Sequence, residues 1–225
     1  MQQYKEEFIK FLCKSGALKF GDFTLKSGRK CPYFLNMGSF FKGSQIGRLG
    51  MYYAEALDAS CGEFDVIFGP AYKGIPLAVS AEAAMFKVFK KDVAYSYNRK
   101  EAKDHGEGGS IIGAPITKDT KLVIVDDVMT AGTALRESMD LMEKLGGPKV
   151  QGVLIAVDRM ERGQGKKSAA QEVKDKYGVT VYSICTIMEI VEFLYKREIE
   201  GVIYLDETQR VAIDGYRKEY GVDPE

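Results

Sequence analysis

Between Leu122 and Ala134 the chain reads LVIVDDVMTAGTA. The four apolar β-formers Leu122 to Val125 suit a strand buried on both faces. Two adjacent carboxylates, Asp126 and Asp127, follow at its end. Val128 and Met129 then lead into Thr130-Ala131-Gly132-Thr133-Ala134, small residues that run straight into a helical segment. Small side chains let several backbone N–H groups converge on one anion, and the helix N-terminus behind them adds a favourable dipole. Two acids would repel a phosphate taken alone. They make sense if the ligand carries a neutral diol, or a cationic centre, close to its phosphate. A ribose 5-phosphate has that shape: its phosphate would sit in the 130–134 loop and its 2- and 3-hydroxyls would donate to Asp126 and Asp127. The plain alternative is an ordinary strand–turn–helix with surface acids.

Three further segments carry chemistry-capable side chains. Gly69-Pro70-Ala71-Tyr72-Lys73-Gly74-Ile75-Pro76 lies between a strand and a helix and is a second anion-loop candidate. Its glycines permit unusual backbone angles and Lys73 supplies a point charge; a strand-to-helix turn with an exposed lysine is the alternative. Arg99, Lys100, Lys103 and the only histidine, His105, follow Asn98 in a segment that closes on Gly106, Gly108 and Gly109. Such an arm suits covering a polyanion and releasing it. A solvated charged hairpin loop is the competing reading, weakened because His105 sits in no apolar face. Finally, Ala156-Val157-Asp158-Arg159 ends a buried strand, placing an arginine at the same end of the sheet or, more plainly, on the surface.

The Leu122–Ala134 segment resembles the phosphoribosyl pyrophosphate signature of type I phosphoribosyltransferases. The other segments resemble, in order and spacing, those of orotate phosphoribosyltransferases. The resemblance runs from Ala17 to about Tyr182 and is weak past Thr186. It implies that Tyr72 and Lys73 belong to a pyrophosphate loop whose Ala-Tyr peptide is strained or cis. It implies that Arg99, Lys100, Lys103 and His105 bind the pyrophosphate leaving group, His105 supplying a donor or proton. Val128 to Ala134 would hold the ribose phosphate. On the base side, Lys26 would meet charge near the reacting carbon, and Phe34 with the adjoining backbone would pack the flat pyrimidine. Leu35 stands where a second Phe is common, and Cys31 where Ser is common. If position 35 works through its backbone, Leu35 changes little; if ring stacking matters, base affinity would be lower. Arg159 matches the arginine for the orotate ring, since a planar guanidinium fits a carboxylate and adjacent carbonyl by paired hydrogen bonds.

The implied reaction joins orotate and phosphoribosyl pyrophosphate into orotidine 5-monophosphate and pyrophosphate, in de novo pyrimidine (UMP) biosynthesis. The implied cofactor is Mg²⁺, carried by the substrate pyrophosphate with no metal ligand assigned to the protein. The implied assembly is a homodimer with shared active sites, the contact matching Lys100 being made to the partner's site. Rival readings are a purine phosphoribosyltransferase, and a non-catalytic nucleic-acid-binding regulator on the same fold.

These residues need a frame. At 225 residues and 45% hydrophobic, the chain suits one α/β domain with a sizeable core. Strand–helix alternation from Asp65 onward implies a mainly parallel sheet flanked by helices, the type I phosphoribosyltransferase fold, with Gly69, Arg99, Asp126 and Arg159 beyond the C-terminal strand ends. A small N-terminal hood carrying the base-side segment would span about 1–45, the core about 46–200 and a tail 201–225. The spacing predicts helices near 4–14, 76–89, 169–177 and 187–196, and a helix with Leu135, Met139, Met142 and Leu145 on one face. The tail is expected to hold a short strand at Ile203–Leu205 and then a charged surface helix. Lys+Arg and Asp+Glu balance at 32 each, so no global positive field advertises nucleic acid or an anionic membrane. Cys13, Cys31, Cys61 and Cys185 form no C-x-x-C pair and read as reduced apolar residues. With no apolar run near the ~18 residues of a membrane span and no basic leader, the expectation is a soluble, cytoplasmic protein.

Overall fold

Six strands between Val66 and Thr186 form one sheet, with helices packed against it. The computed structural model describes residues 1–25, 28–100, 110–129, 132–163, 165 and 167–222. In chain order the elements are α1 (Gln3–Lys14), β1 (Leu18–Thr24), β2 (Lys30–Leu35), α2 (Gly43–Ser60), β3 (Val66–Phe68), α3 (Gly74–Ala84) and β4 (Ala94–Asn98). They continue through β5 (Ile111–Gly113), β6 (Lys121–Val128), α4 (Thr133–Lys144), β7 (Lys149–Asp158), α5 (Ala169–Tyr177) and β8 (Val181–Thr186). The chain ends with α6 (Ile187–Leu194), β9 (Glu198–Ile199), β10 (Val202–Ile203) and α7 (Glu207–Tyr220).

The sheet order is β5-β4-β3-β6-β7-β8, parallel throughout except for β5, which runs antiparallel to β4. The pattern predicts no strand at β5, because three residues are too few to show a period. It is secured from outside its own sequence, by Ser96 Oγ donating to the Ala114 carbonyl at 2.6 Å. Side chains of β6 divide by alternation. Val123 and Val125 join the core that also holds Leu57, Leu77 and Ile190, while Leu122 and Ile124 pack with Leu135 and Met139 of α4 and Val173 of α5. Helices α2 and α3 cross closely at Gly50, where a Cβ would lie 2.4 Å from the Ser80 carbonyl oxygen.

Two boundaries differ from expectation in ways that matter. Strand β6 continues past Val125 through both acids to Val128, because Asp126 and Val128 stay in register with Ile155 and Val157 of β7. The tail also differs. Its short strand is a two-stranded hairpin of β9 and β10, and α7 is not a free surface helix: Ile213 and Tyr216 are buried. That helix packs on β2, which pairs with β1 as an antiparallel hairpin. Its sparse apolar residues give no warning of this, since the partners lie far away in sequence.

From β3 the chain crosses to β4 on one side, and β6 then leads to β7 on the other. The two central neighbours β3 and β6 therefore flank a topological switch point, where the loops beyond their C-terminal ends part and leave a crevice. The Gly69–Lys73 loop and the acids at the end of β6 meet there.

Candidate active site

On one side of the crevice, Asp126 opens into a cavity of about 340 Å³ whose walls include Val128, Met129, Gly132, Thr133 and Ala134. Gly132 precedes α4 with φ +70°, a backbone conformation that brings the chain round to the helix N-terminus. Two oriented backbone contacts fix the acids: Asp126 Oδ1 accepts from the Asp127 N–H and Asp127 Oδ1 from the Val128 N–H, both at 2.8 Å. Beneath them, the fully buried Tyr53 hydroxyl donates to the Asp126 carbonyl at 2.7 Å. Burial, and then the charge of Asp127, pushes the Asp126 carboxyl up to about 6, against the pull of the Asp127 N–H and of Lys73. A larger concavity of about 1100 Å³, among α1, α2 and the turn after α3, contains none of the candidate site residues.

Strand alternation sends the two acids different ways. Asp126 lines the cavity, whereas Asp127, 7% exposed, receives the Lys73 ammonium at 2.6 Å. This ion pair spans the switch point. Lys73 keeps an exposed side chain, so it can exchange its carboxylate for an arriving polyanion. Its loop is tightly drawn: a Cβ on Gly69 would lie 2.1 Å from the Gly74 carbonyl oxygen. Asn98 Oδ1, at the end of β4, accepts from the Ala71 N–H at 2.8 Å. The Ala71–Tyr72 peptide is cis, and Tyr72 is exposed. Just beyond β4, Arg99 Nε is buried without a hydrogen-bond partner among the described residues, a donor left over for a ligand. Lys100 is exposed beside it. Lys26, Lys103, His105, Thr130 and Ala131 lie outside the described residues.

The base side is assembled differently. Arg159 follows β7 directly and is 8% exposed. Its Nε and Nη2 donate to Glu161 Oε1 at 2.9 and 2.7 Å, Nη2 also approaches Cys31 Sγ at 3.4 Å, and the guanidinium lies 4.7 Å from the centroid of the Tyr33 ring. Burial opposes its charge, but Tyr33 and Glu161 more than offset this and raise its pKa. Along β2, Cys31 and Tyr33 face inward while Phe34 faces out, where its ring stacks on Phe23 at 5.4 Å. The aromatic ring against Arg159 is thus that of Tyr33; Leu35, half-buried, ends the strand.

Sequence reasoning missed Glu161, Tyr33, Tyr53, Asn98 and Tyr216. Glu161 follows Arg159 by two positions, but β7 has ended and the intervening Met160 has φ +51°, so strand alternation does not announce the pairing. For Tyr53 and Tyr216 no local signal exists, because each acts through a partner brought near by folding.

Residues 38–195 match the model of the phosphoribosyl transferase domain. The orotate phosphoribosyltransferase of Lachnoclostridium phytofermentans is 49% identical over 224 residues, covering 99% of this chain and 100% of its own length. That of Thioalkalivibrio sulfidiphilus is 50% identical over 222 residues, with 99% and 100% covered. Among solved structures, the orotate phosphoribosyltransferase of Francisella tularensis superposes with a TM-score of 0.84 at 37% identity, covering 96% of this chain and 100% of that one. With its fold, its crevice and its full length accounted for in this way, the chain belongs to the orotate phosphoribosyltransferases of the phosphoribosyl transferase family.

Proposed function

We propose that this chain transfers the 5-phosphoribosyl group from phosphoribosyl pyrophosphate to orotate, releasing orotidine 5-monophosphate and pyrophosphate in de novo pyrimidine (UMP) biosynthesis. The observation that carries the reading is the arrangement at one sheet edge: Asp126 with its cavity, the Lys73–Asp127 pair across the crevice, and a buried cation, Arg159, at the neighbouring strand end. Full-length relatives named orotate phosphoribosyltransferases favour it over the purine reading. The balance of 32 cations and 32 acids gives a nucleic-acid-binding regulator no support.

In this reading the bond at ribose C1 breaks through a cation-like ring. Asp126 and Asp127 hold the ribose hydroxyls and place negative charge near the developing cation. Lys73, Arg99, Lys100, Lys103 and His105 meet the departing pyrophosphate, with Val128 to Ala134 on the ribose phosphate. Lys26, Phe34, Leu35 and Arg159 hold orotate. On the protein side the donors for a divalent ion are two carboxylates, one of them tied to Lys73. That set suits Mg²⁺ keeping substrate oxygens and water around it, with Asp126 and Asp127 close by. Bound there, Mg²⁺ would offset charge on the pyrophosphate. A spectrophotometric assay of orotate consumption tests the reading. Orotate should disappear only with phosphoribosyl pyrophosphate and Mg²⁺, while hypoxanthine, guanine, adenine and uracil should not be consumed. Turnover of a purine instead would refute it.

The assembly in this reading is a homodimer. Four exposed apolar side chains, Met51, Val79, Phe86 and Val88, lie on α2, on α3 and just beyond it, a face that a second copy would cover. Lys100 at the dimer would serve the partner's site. Lys100→Ala and Asp127→Ala should each abolish activity alone, yet refolded mixtures should regain roughly a quarter of the sites if Lys100 acts in trans. Dead mixtures containing mixed dimers by mass spectrometry would place Lys100 in its own site.

A further inference from the structure

Glu161 presents a puzzle for a pocket meant for an anionic base: a carboxylate stands against the very arginine that should bind the substrate's own carboxylate. The surrounding contacts resolve it. Glu161 Oε1 accepts from Arg159, from the Tyr33 hydroxyl at 3.1 Å and from the Tyr216 hydroxyl at 3.0 Å. Its Oε2 accepts from Arg29 Nη1 at 3.1 Å, and Arg29 stacks on Tyr220 at 4.2 Å. The donors therefore come from the hood strand, the β7 end and the C-terminal helix. The segment carrying Glu161 is bound into the tail by backbone as well: Arg162 N–H donates to the Tyr220 carbonyl and Val222 N–H to the Met160 carbonyl, both at 2.9 Å.

The charges add in a useful way. Arg29 and Arg159 carry one positive charge each and Glu161 one negative, so the cluster keeps one net positive charge. The geometry is equally selective. The Nε/Nη2 edge of Arg159 is consumed by Glu161, while Nη1 has no hydrogen-bond partner among the described residues. A guanidinium clamped along one edge loses its rotamer freedom and offers the rest of its fork in a fixed direction.

We propose that Glu161, supported by Arg29 and by Tyr216 of the C-terminal helix, is a positioning residue for base recognition: it clamps Arg159 so that its open corner meets the orotate carboxylate, while Arg29 cancels the charge of Glu161. The proposal rests on the reading of Arg159 as an orotate-binding residue. It gives the tail a role in substrate selection, exerted through Glu161 and Arg159.

The test compares Glu161→Gln, Tyr216→Phe, Arg159→Ala and the double variant Arg159→Ala/Glu161→Gln, each checked by thermal melting. Glu161→Gln should raise the KM for orotate roughly tenfold to a hundredfold, the scale of a lost charge-assisted hydrogen bond. The KM for phosphoribosyl pyrophosphate should stay within about twofold, since a structural lesion would move both. Tyr216→Phe, the milder change and the one to rely on should Glu161→Gln fold poorly, should raise only the orotate KM, by several-fold. In the double variant the Glu161→Gln effect should vanish, because nothing remains to be positioned. Additive effects, or equal shifts in both substrates' KM from Tyr216→Phe, would overturn the clamp while leaving Arg159 as a base-binding residue. If Arg159→Ala itself affects both substrates equally, the reading of Arg159 falls first and the clamp with it.

Discussion

The two sides of the crevice are built on opposite plans. Most of the ribose side comes from one stretch of chain, with Asp126, Asp127, Val128, Met129, Gly132, Thr133 and Ala134 all belonging to a single strand–turn–helix unit. The base side draws Arg29 and Tyr33 from the hood, Arg159 and Glu161 from the end of β7, and Tyr216 from α7. A site made from contiguous backbone has its geometry set by local turn chemistry and survives changes elsewhere. A site made from distant segments depends on their packing, so it can be retuned by residues that never touch the ligand. If the proposed roles hold, recognition of the ribose phosphate is mainly local, and recognition of the base is a property of the whole tertiary fold.

The sharpest way to break this contrast is to strip charge from the ribose side alone. Asp126→Asn/Asp127→Asn should fold, keep its orotate requirement, and lose at least ~10²-fold in kcat, the usual cost of removing charge aimed at a transition state. Wild-type turnover in the folded double variant would remove both acids from the mechanism.

A second, smaller effect is visible in pH. In the proposed mechanism Asp126 must be ionised to place negative charge near the developing cation, and its carboxyl is held up to about 6. Activity at subsaturating substrate should thus rise through about pH 6. Stability should run the other way. Between the ordinary carboxylate range near 3.8 and about 6, the folded state holds a proton that the unfolded chain has released. Folding therefore weakens as pH rises across that window, by roughly 2 to 3 kcal/mol at most, and is flat above it. Asp126→Asn should remove its share of this slope in urea titrations, leaving that of Asp158, also raised by burial, and raise stability at neutral pH. An unchanged slope would mean that another group carries the proton.

The smallest effect tests the support beneath the ribose side. Tyr53→Phe removes the hydroxyl that donates to the Asp126 carbonyl and should cost about 1 to 2 kcal/mol, read as a lower urea midpoint. Its effect on the orotate KM should be slight, unlike that of Tyr216→Phe on the other side. Comparable orotate effects from the two tyrosines would erase the distinction between local and assembled sites.

Whatever depends on neighbours along the chain is legible in the sequence. The run Leu122–Val125 announced a buried strand because its residues must satisfy both sheet faces. The small residues after Asp127 announced a turn into a helix. The alternation from Asp65 onward determined a parallel sheet, and with it the edge where Gly69, Arg99, Asp126 and Arg159 gather, since parallel strands joined by helices place their C-terminal ends together. No helix among the described residues is long and apolar enough to cross a membrane, in keeping with the absence of long apolar runs. Tertiary structure alone decided the rest. It turned Asp127 away from Asp126 toward Lys73, because β6 continues through both acids under the pairing with β7. It set Tyr33 rather than Phe34 against Arg159, because the inward face of β2 is chosen by what covers it. And it buried Tyr216 of a helix rich in charged residues against Glu161, 55 residues away in sequence. Such contacts leave no period in the sequence: a single hydroxyl meeting a distant carboxylate is specified by the packing of whole elements, not by the residues beside it.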